Sequence, residues 1–333
     1  MQKSILIPKP VVIGIDIGGT KISAALFDFD GNFLRKETKS IAGKRGKYVG
    51  KLVAELVLGI IDFSNKSTYD LVAIGVCVPG IYSPIKKTVW APNIPDWTEY
   101  PLWNELTSLI KMPSVKIIIE SDRSCYILGE VWKGNARECT DAIFISVGTG
   151  IGAGILSGGK IISGKSGIAG AIGWMEIEPP YKTKYDSWGN FEHYASGSGI
   201  ARSAIELLNK SNNTQGLLQN ISIDKISSHH VFQAYEEGDP LAVAVIDKAI
   251  KYWGMAIANL VSIFNPEKVI LGGGVFGPAN QFLDRISKEA KKWAQPISFK
   301  ELTLETSALQ TDSGLIGAGY LAIKTIKDAH HVK

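Results

Sequence analysis

Cysteine is scarce. The chain has three in 333 residues, Cys77, Cys125 and Cys139, an odd number and far apart. That usage excludes a disulfide framework and a zinc knuckle, and it points to a reducing, cytoplasmic setting. Long hydrophobic runs are also missing. The N-terminal MQKSILIPKP has only a short apolar stretch broken by Lys and Pro, which suits neither an export signal nor a membrane span, so no membrane association is expected. No dense block of Lys or Arg occurs either. The formal charge of +4 is spread along the chain, so no nucleic-acid partner is expected from charge. What is present, 45% hydrophobic and 20% charged residues, is enough for two packed cores of a soluble globular protein.

The glycines carry the organisation. Ala142 to Val147 is an apolar strand that meets Gly148, Thr149, Gly150, Gly152 and Gly154; Ile155 and Leu156 then lead to the turn Ser157-Gly158-Gly159. This reads as a β-hairpin with a glycine-rich bend. Without a Cβ the backbone can take positive φ and present N–H groups to an anion such as phosphate. A hairpin that merely turns is the plainer alternative. Residues 11–17, VVIGIDI, then Gly18, Gly19, Thr20 and Lys21, then the alternating ISAALFDFD, repeat the same strand, bend and strand. One device used twice implies two related lobes, each offering a phosphate-binding bend to a shared cleft.

Elsewhere the spacing of Val49, Leu52, Val53, Leu56, Val57, Ile60 and Ile61 predicts an amphipathic helix within 46–65. Strands are expected at 71–78, 115–119 and 267–271, the last running into Gly272, Gly273 and Gly274. Helices are expected at 125–132, 196–209, 239–264, 278–293 and 314–326. Strands alternating with long helices give an α/β architecture. Residues 79–97 and 175–191 have Pro and aromatic residues but no period, and read as loops, which in such domains often bind ligands. Asp122 falls at a strand's carboxyl end, where open α/β sheets place their chemistry. It equally fits a helix N-cap.

Two nucleotide patterns are set aside. Gly159 to Ser166, GKIISGKS, satisfies G-x-x-x-x-G-K-[ST], but a P-loop must follow a strand and open a helix, whereas Ile161 and Ile162 read as strand. Gly272 to Gly277, GGGVFG, satisfies G-x-G-x-x-G but comes too late in the chain for a complete dinucleotide domain. A third reading uses all the bends together: phosphates between the two hairpins, and the adenosine end on Gly272 to Gly274.

Taken in order, DIGGTK (Asp16 to Lys21), the VPG turn (Val78 to Gly80), APNIPDW (Ala91 to Trp97), ESD…LGE (Glu120 to Glu130), SVGTGIGAGIL (Ser146 to Leu156), ASGSGI (Ala195 to Ile200) and NPEKVILGGGV (Asn265 to Val275) span almost the whole chain. Through this ordered set it resembles the ROK (repressor, open reading frame, kinase) sugar kinases of the actin/hexokinase/Hsp70 superfamily. The resemblance implies a two-lobed actin-like (ribonuclease H-like) α/β fold with a nucleotide cleft between the lobes. Residues 1–122 would form the N-terminal lobe, completed by a C-terminal helix 312–333, and residues 123–311 the larger C-terminal lobe. The family's repressors carry an added N-terminal helix-turn-helix; about ten residues precede the first strand here, which resembles the kinase branch.

The resemblance further implies ATP and Mg²⁺ as cofactors, a sugar or polyol substrate, and a homodimer or higher homo-oligomer. Asp122 matches the catalytic base. Asp16 matches the carboxylate serving the Mg-bound phosphates, with Gly18, Gly19, Thr20, Lys21, Gly148, Thr149, Gly150, Gly152 and Gly272 to Gly274 around the nucleotide. Acceptor contacts fall on Gly80, Asn93, Ser121, Asp122, Ala171, Trp174, Glu192 and His193. Here the chain departs from the pattern. The family's Asn-Asp is Ser121-Asp122, and its Glu-x-Gly-His is Ala171-Ile172-Gly173-Trp174. The zinc-binding His and three Cys of many members are absent from this segment and 175–191, so no zinc site is expected. Losing a carboxylate and an imidazole removes partners for ring hydroxyls. Trp174 can stack on an apolar sugar face instead, with Tyr181, Tyr185 or Trp188, or these aromatics pack the loop. The expected activity is phosphorylation of an acceptor other than plain glucose: an amino sugar, modified hexose, disaccharide or cyclitol. The alternatives are a glucokinase or fructokinase, or a non-catalytic sensor.

Overall fold

The computed structural model describes residues 8–210 and 216–331. Contacts divide the chain into two compact units. The first contains the chain up to Arg137, Ser163–Ile168 and everything from Thr311; the second contains Glu138–Ile162 and Ala169–Gln310. The helix Asp122–Lys133 thus lies in the first unit, where it packs on the C-terminal helix Ser313–His331.

In the first unit the strands are β1 (Lys9–Ile17), β2 (Lys21–Asp28), β3 (Phe33–Ser40), β4 (Tyr69–Val78), the short pair β5 (Ile81–Ser83) and β6 (Thr88–Trp90), and β7 (Lys116–Ser121). Five of them form a sheet in the order β3-β2-β1-β4-β7. β1 is antiparallel to β2 and parallel to β4, which is parallel to β7. Val11, Ile13, Ile15 and Ile17 of β1 are buried in one core with the helix Lys47–Asn65. The opposite face carries Gly14 and Gly75. A Cβ there would come 2.7 Å from the Leu315 carbonyl oxygen and 1.9 Å from that of Ala318, so glycine lets the C-terminal helix lie directly on the sheet. β3, FLRKETKS, is an edge strand studded with exposed charge, a composition that discourages pairing with another chain.

The stretch 79–97, expected as a loop, contains the hairpin of β5 and β6. Of its aromatics Trp97 is an anchor, while Trp90 is exposed. Trp97 is buried, donates from Nε1 to the Gly46 carbonyl at 3.1 Å and stacks on Tyr100 with centroids 4.3 Å apart.

The second unit repeats the arrangement. Its strands β8 (Ala142–Val147), β9 (Ile151–Ser157), β10 (Lys160–Ile161), β11 (Lys268–Gly272) and β12 (Thr303–Thr306) form a sheet in the order β10-β9-β8-β11-β12. Again the first pairings are antiparallel and the last two parallel. The two glycine hairpins therefore occupy the same place in two sheets of one topology. The longest helix, Pro240–Phe264, starts with Pro at its first position and Asp239 Oδ1 accepting from the Leu241 and Ala242 N–H groups, and ends on Asn265 in the left-handed region. Residues 278–293 are a 3₁₀ turn, Pro278–Phe282, and a helix, Leu283–Trp293. The P-loop pattern fails as its spacing suggested: Lys160–Ile161 is strand and no helix follows. Among the described residues no helix is long and apolar enough to cross a membrane.

Candidate active site

In the first unit Asp16 ends β1 half-buried, in register with Ser23 on β2 and Cys77 on β4. Burial raises its carboxyl pKa; the Cys77 thiol that hydrogen-bonds it and the Lys21 charge oppose the rise, and Asp312 adds to it. The bend after it is closed by Gly18 N–H on the Lys21 carbonyl at 2.9 Å and Ile41 N–H on the Thr20 carbonyl at 2.8 Å. Gly19, Thr20 and Lys21 are exposed. Asn93 is exposed beside the bend, its Cβ 3.4 Å from where a Gly19 Cβ would be. Gly80 offers backbone alone: a Cβ would fall 2.0 Å from the Trp90 carbonyl oxygen, so packing demands glycine.

β7 runs straight into the helix Asp122–Lys133. Its N-cap is Ser121, 4% exposed, whose hydroxyl accepts from Ser124 N–H at 3.4 Å. Ser121, expected against the acceptor, is thus engaged in capping, and Asp122 is not the cap. Asp122 accepts from Arg123 N–H at 2.8 Å. Burial pushes its carboxyl up to about 6, with Arg123 pulling down and Asp16 pushing up. Such a group is ionised at neutral pH yet basic enough to take a hydroxyl proton. The Arg123 guanidinium donates to the Gly167 and Ile168 carbonyls at 3.4 and 3.3 Å.

The second unit contains a cleft of about 630 Å³ lined by Gly148, Thr149, Gly197, Ser198, Ala201, Ile226, Ser227, Ser228, Gly274 and Val275, within the size range of small-molecule sites. Gly197 N–H donates to the Gly148 carbonyl at 2.8 Å and Ser196 caps the helix Gly197–Leu208. The starts of that helix and of Ser228–Glu236 both reach the cleft, and helix N-termini present unpaired N–H groups to anions. Gly273 has φ 89° and a Cβ would sit 2.5 Å from the Val147 carbonyl oxygen. Gly272 packs on Phe144, and Gly152 pairs with Ser146 inside the sheet. The sequence names Gly148, Thr149 and Gly274 here; Gly197 and Ser198 carry a signal in the ASGSGI motif without a site role attached, and Ser227 and Ser228 are missed, their only signal being small polar residues opening a helix.

Gly150 and Gly173 both face Glu192: a Cβ on either would come 2.8 Å from its Oε2. That oxygen accepts from Ile151 N–H at 2.7 Å. Burial raises the Glu192 pKa, opposed by the Ile151 N–H and Arg202. His193 is a packed side chain instead of an acceptor contact. It is 3% exposed, with Nδ1 3.1 Å from Arg202 and Nε2 3.4 Å from Glu206, and burial together with Lys184 and Arg202 lowers its pKa. Tyr185 is likewise buried, hydroxyl to hydroxyl with Tyr194 at 2.9 Å. Ala171 is half-buried and opens the turn Ile172–Trp174, while Trp174, Tyr181 and Trp188 are exposed. Among the described residues no group of three or more His, Cys, Asp or Glu is placed to hold a metal ion.

The family model described as ROK family matches residues 12–325. The chain is 31% identical over 313 residues to a glucokinase of Halalkalibacterium halodurans, covering 93% of this chain and 94% of that one. It is 29% identical over 311 residues to a xylose repressor of Caldicellulosiruptor bescii, covering 92% and 76%. Among solved structures it is similar to a ROK family glucokinase from Streptomyces griseus in complex with glucose and AMPPNP, with TM-score 0.75, 30% identity and coverage of 94% and 99%. The duplicated sheets, the paired glycine hairpins and a match along nearly the whole length agree: this chain belongs to the ROK family and has its two-lobed, actin-like α/β fold.

Proposed function

We propose that the protein is an ATP-dependent kinase that transfers the γ-phosphoryl group to a hydroxyl of a sugar or sugar-like polyol. The observation that carries this is Asp122, a carboxylate poised at about 6 by burial and not engaged as the helix cap. It takes the acceptor's proton as the hydroxyl oxygen attacks phosphorus. The cleft bounded by Gly148, Thr149 and Gly274 holds the nucleotide, its backbone N–H groups and the Thr149 hydroxyl meeting phosphate. Asp16 suits a Mg²⁺ ion held through the phosphates, because burial disfavours its bare negative charge, which a cation would offset, and Gly314 packs close enough beside it to fix the carboxylate. Bound there, Mg²⁺ would supply charge neutralisation of the phosphates.

The relatives named glucokinase support the nucleotide and the sugar class. The acceptor is other than plain glucose, because Ala171 and Trp174 stand where the family pattern has Glu and His. Glucose itself is the second reading, favoured by the likeness to glucokinases. A sensor without catalysis is disfavoured by the retained base. We further propose a cytoplasmic homodimer or higher homo-oligomer. Purified protein is to be given Mg-ATP with glucose, amino sugars, disaccharides and cyclitols, and ADP release followed. Turnover of at least one, with glucose a poor acceptor, is expected. No turnover on any acceptor despite ATP binding would leave the sensor.

A further inference from the structure

Two tryptophans of the second unit are exposed: Trp174, 59% exposed, and Trp188, 50% exposed. Gly189 brings them together. With φ 79° and no side chain it presses on the turn Ile172–Trp174 so closely that a Cβ would come 2.5 Å from Trp174 Cα. The backbone next to Trp188 therefore touches the backbone of Trp174. Arg202 braces the second indole, its guanidinium carbon 5.5 Å from the Trp188 ring centroid. Beside the pair lies Glu192. Its carboxylate reaches the backbone at Gly173, the residue before Trp174, and one of its oxygens is fixed by Ile151 N–H.

One exposed apolar side chain is ordinary on a protein surface. Two exposed indoles carried on backbone segments that touch, beside a half-buried carboxylate, are not. Their flat faces match the C–H face of a pyranose, and the carboxylate matches its hydroxyls. Two indoles also offer more apolar area than a single ring hydrogen-bonded at Glu192 covers. The small apolar Ala171 adds no polar partner, so affinity has to come from buried area.

Resting on the kinase reading above, we propose that the acceptor is a disaccharide. One ring is hydrogen-bonded by Glu192, and the second, glycosidically linked ring stacks on Trp174 and Trp188. The full chain is to be titrated calorimetrically with glucose, maltose, cellobiose and trehalose, for the wild type and for Trp174→Ala and Trp174→Phe, with phosphoryl transfer measured on the same samples. One or more of the disaccharides should bind at least about tenfold tighter than glucose. Trp174→Ala should lose most of that margin of disaccharide over glucose, and Trp174→Phe should restore most of it. Disaccharides binding no better than glucose, or a margin unchanged in Trp174→Ala, overturns the proposal. Selective binding without phosphoryl transfer supports the platform and sinks the kinase reading instead.

Discussion

Gly314 and Asp16 share one small space: a Cβ on Gly314 would stand 2.8 Å from the Asp16 carboxyl carbon. Alanine is favoured over glycine inside a helix by roughly 1 kcal/mol, so this helical glycine is explained by its neighbour. Gly314→Ala should push the Asp16 carboxylate aside and cut kcat/KM for Mg-ATP by at least about tenfold, with the circular dichroism spectrum preserved. Wild-type kinetics in that variant would remove Asp16 from the nucleotide machinery.

Asp122 must be ionised to act as a base, and its carboxyl stands at about 6 because burial raises it. kcat/KM for the acceptor should therefore rise through pH 6 and level off above it, where an ordinary carboxylate would give an acid limb near 4. Asp122→Asn should lose about 10²–10⁴-fold in kcat while binding ATP normally. A flat profile down to pH 5 would exclude Asp122 as the base.

The same shift has an opposite sign in stability. A folded carboxyl at about 6, against an ordinary value of 3.8, binds its proton more tightly folded than unfolded, so the charged form destabilises the fold above that range. The burden is fully present above about pH 6 and vanishes as pH falls through the unfolded value near 4. Two units correspond to roughly 3 kcal/mol as an upper bound. Asp122→Asn should accordingly raise the Tm at pH 8 and lose that gain by pH 3.5. An equal effect at both pH values would point to packing rather than charge.

Arg123 pulls the Asp122 pKa down while its guanidinium holds the carbonyls of Gly167 and Ile168. Replacing it with Gln keeps the backbone N–H that Asp122 accepts from but removes the charge. The acid limb of the Arg123→Gln profile should move to higher pH, and the acceptor KM should rise as the 163–168 segment loosens. An acid limb that stays in place would show that Arg123 only packs.

Much of this was readable in the residues. The apolar runs 11–17 and 142–147 are central strands because burial on both faces demands such composition, and the glycine bends after them mark the repeat. β3 escaped notice because an edge strand needs few apolar residues, and half of Phe33–Ser40 is charged. The capping role of Ser121 is not legible in the sequence because a cap and a ligand contact use the same hydroxyl, and only geometry shows the cap. His193 and Glu192 are adjacent in one six-residue helix, yet His193 turns into the core. So short a helix has too little period to show which side is inward. The walls of the cleft at Ser198 and Ser228 come from helices distant in sequence, and tertiary packing alone assembles them.

Gly14 and Gly75 make the sheet of the first unit depend on the helix Ser313–His331. During synthesis β1 and β4 leave the ribosome long before the helix Ser313–His331 that covers them. Until then a buried face is bare, which is a condition that invites aggregation or chaperone capture. Maturation of these strands is therefore deferred until that helix has emerged, and a truncation just before Ser313 damages a sheet whose central strands lie far upstream.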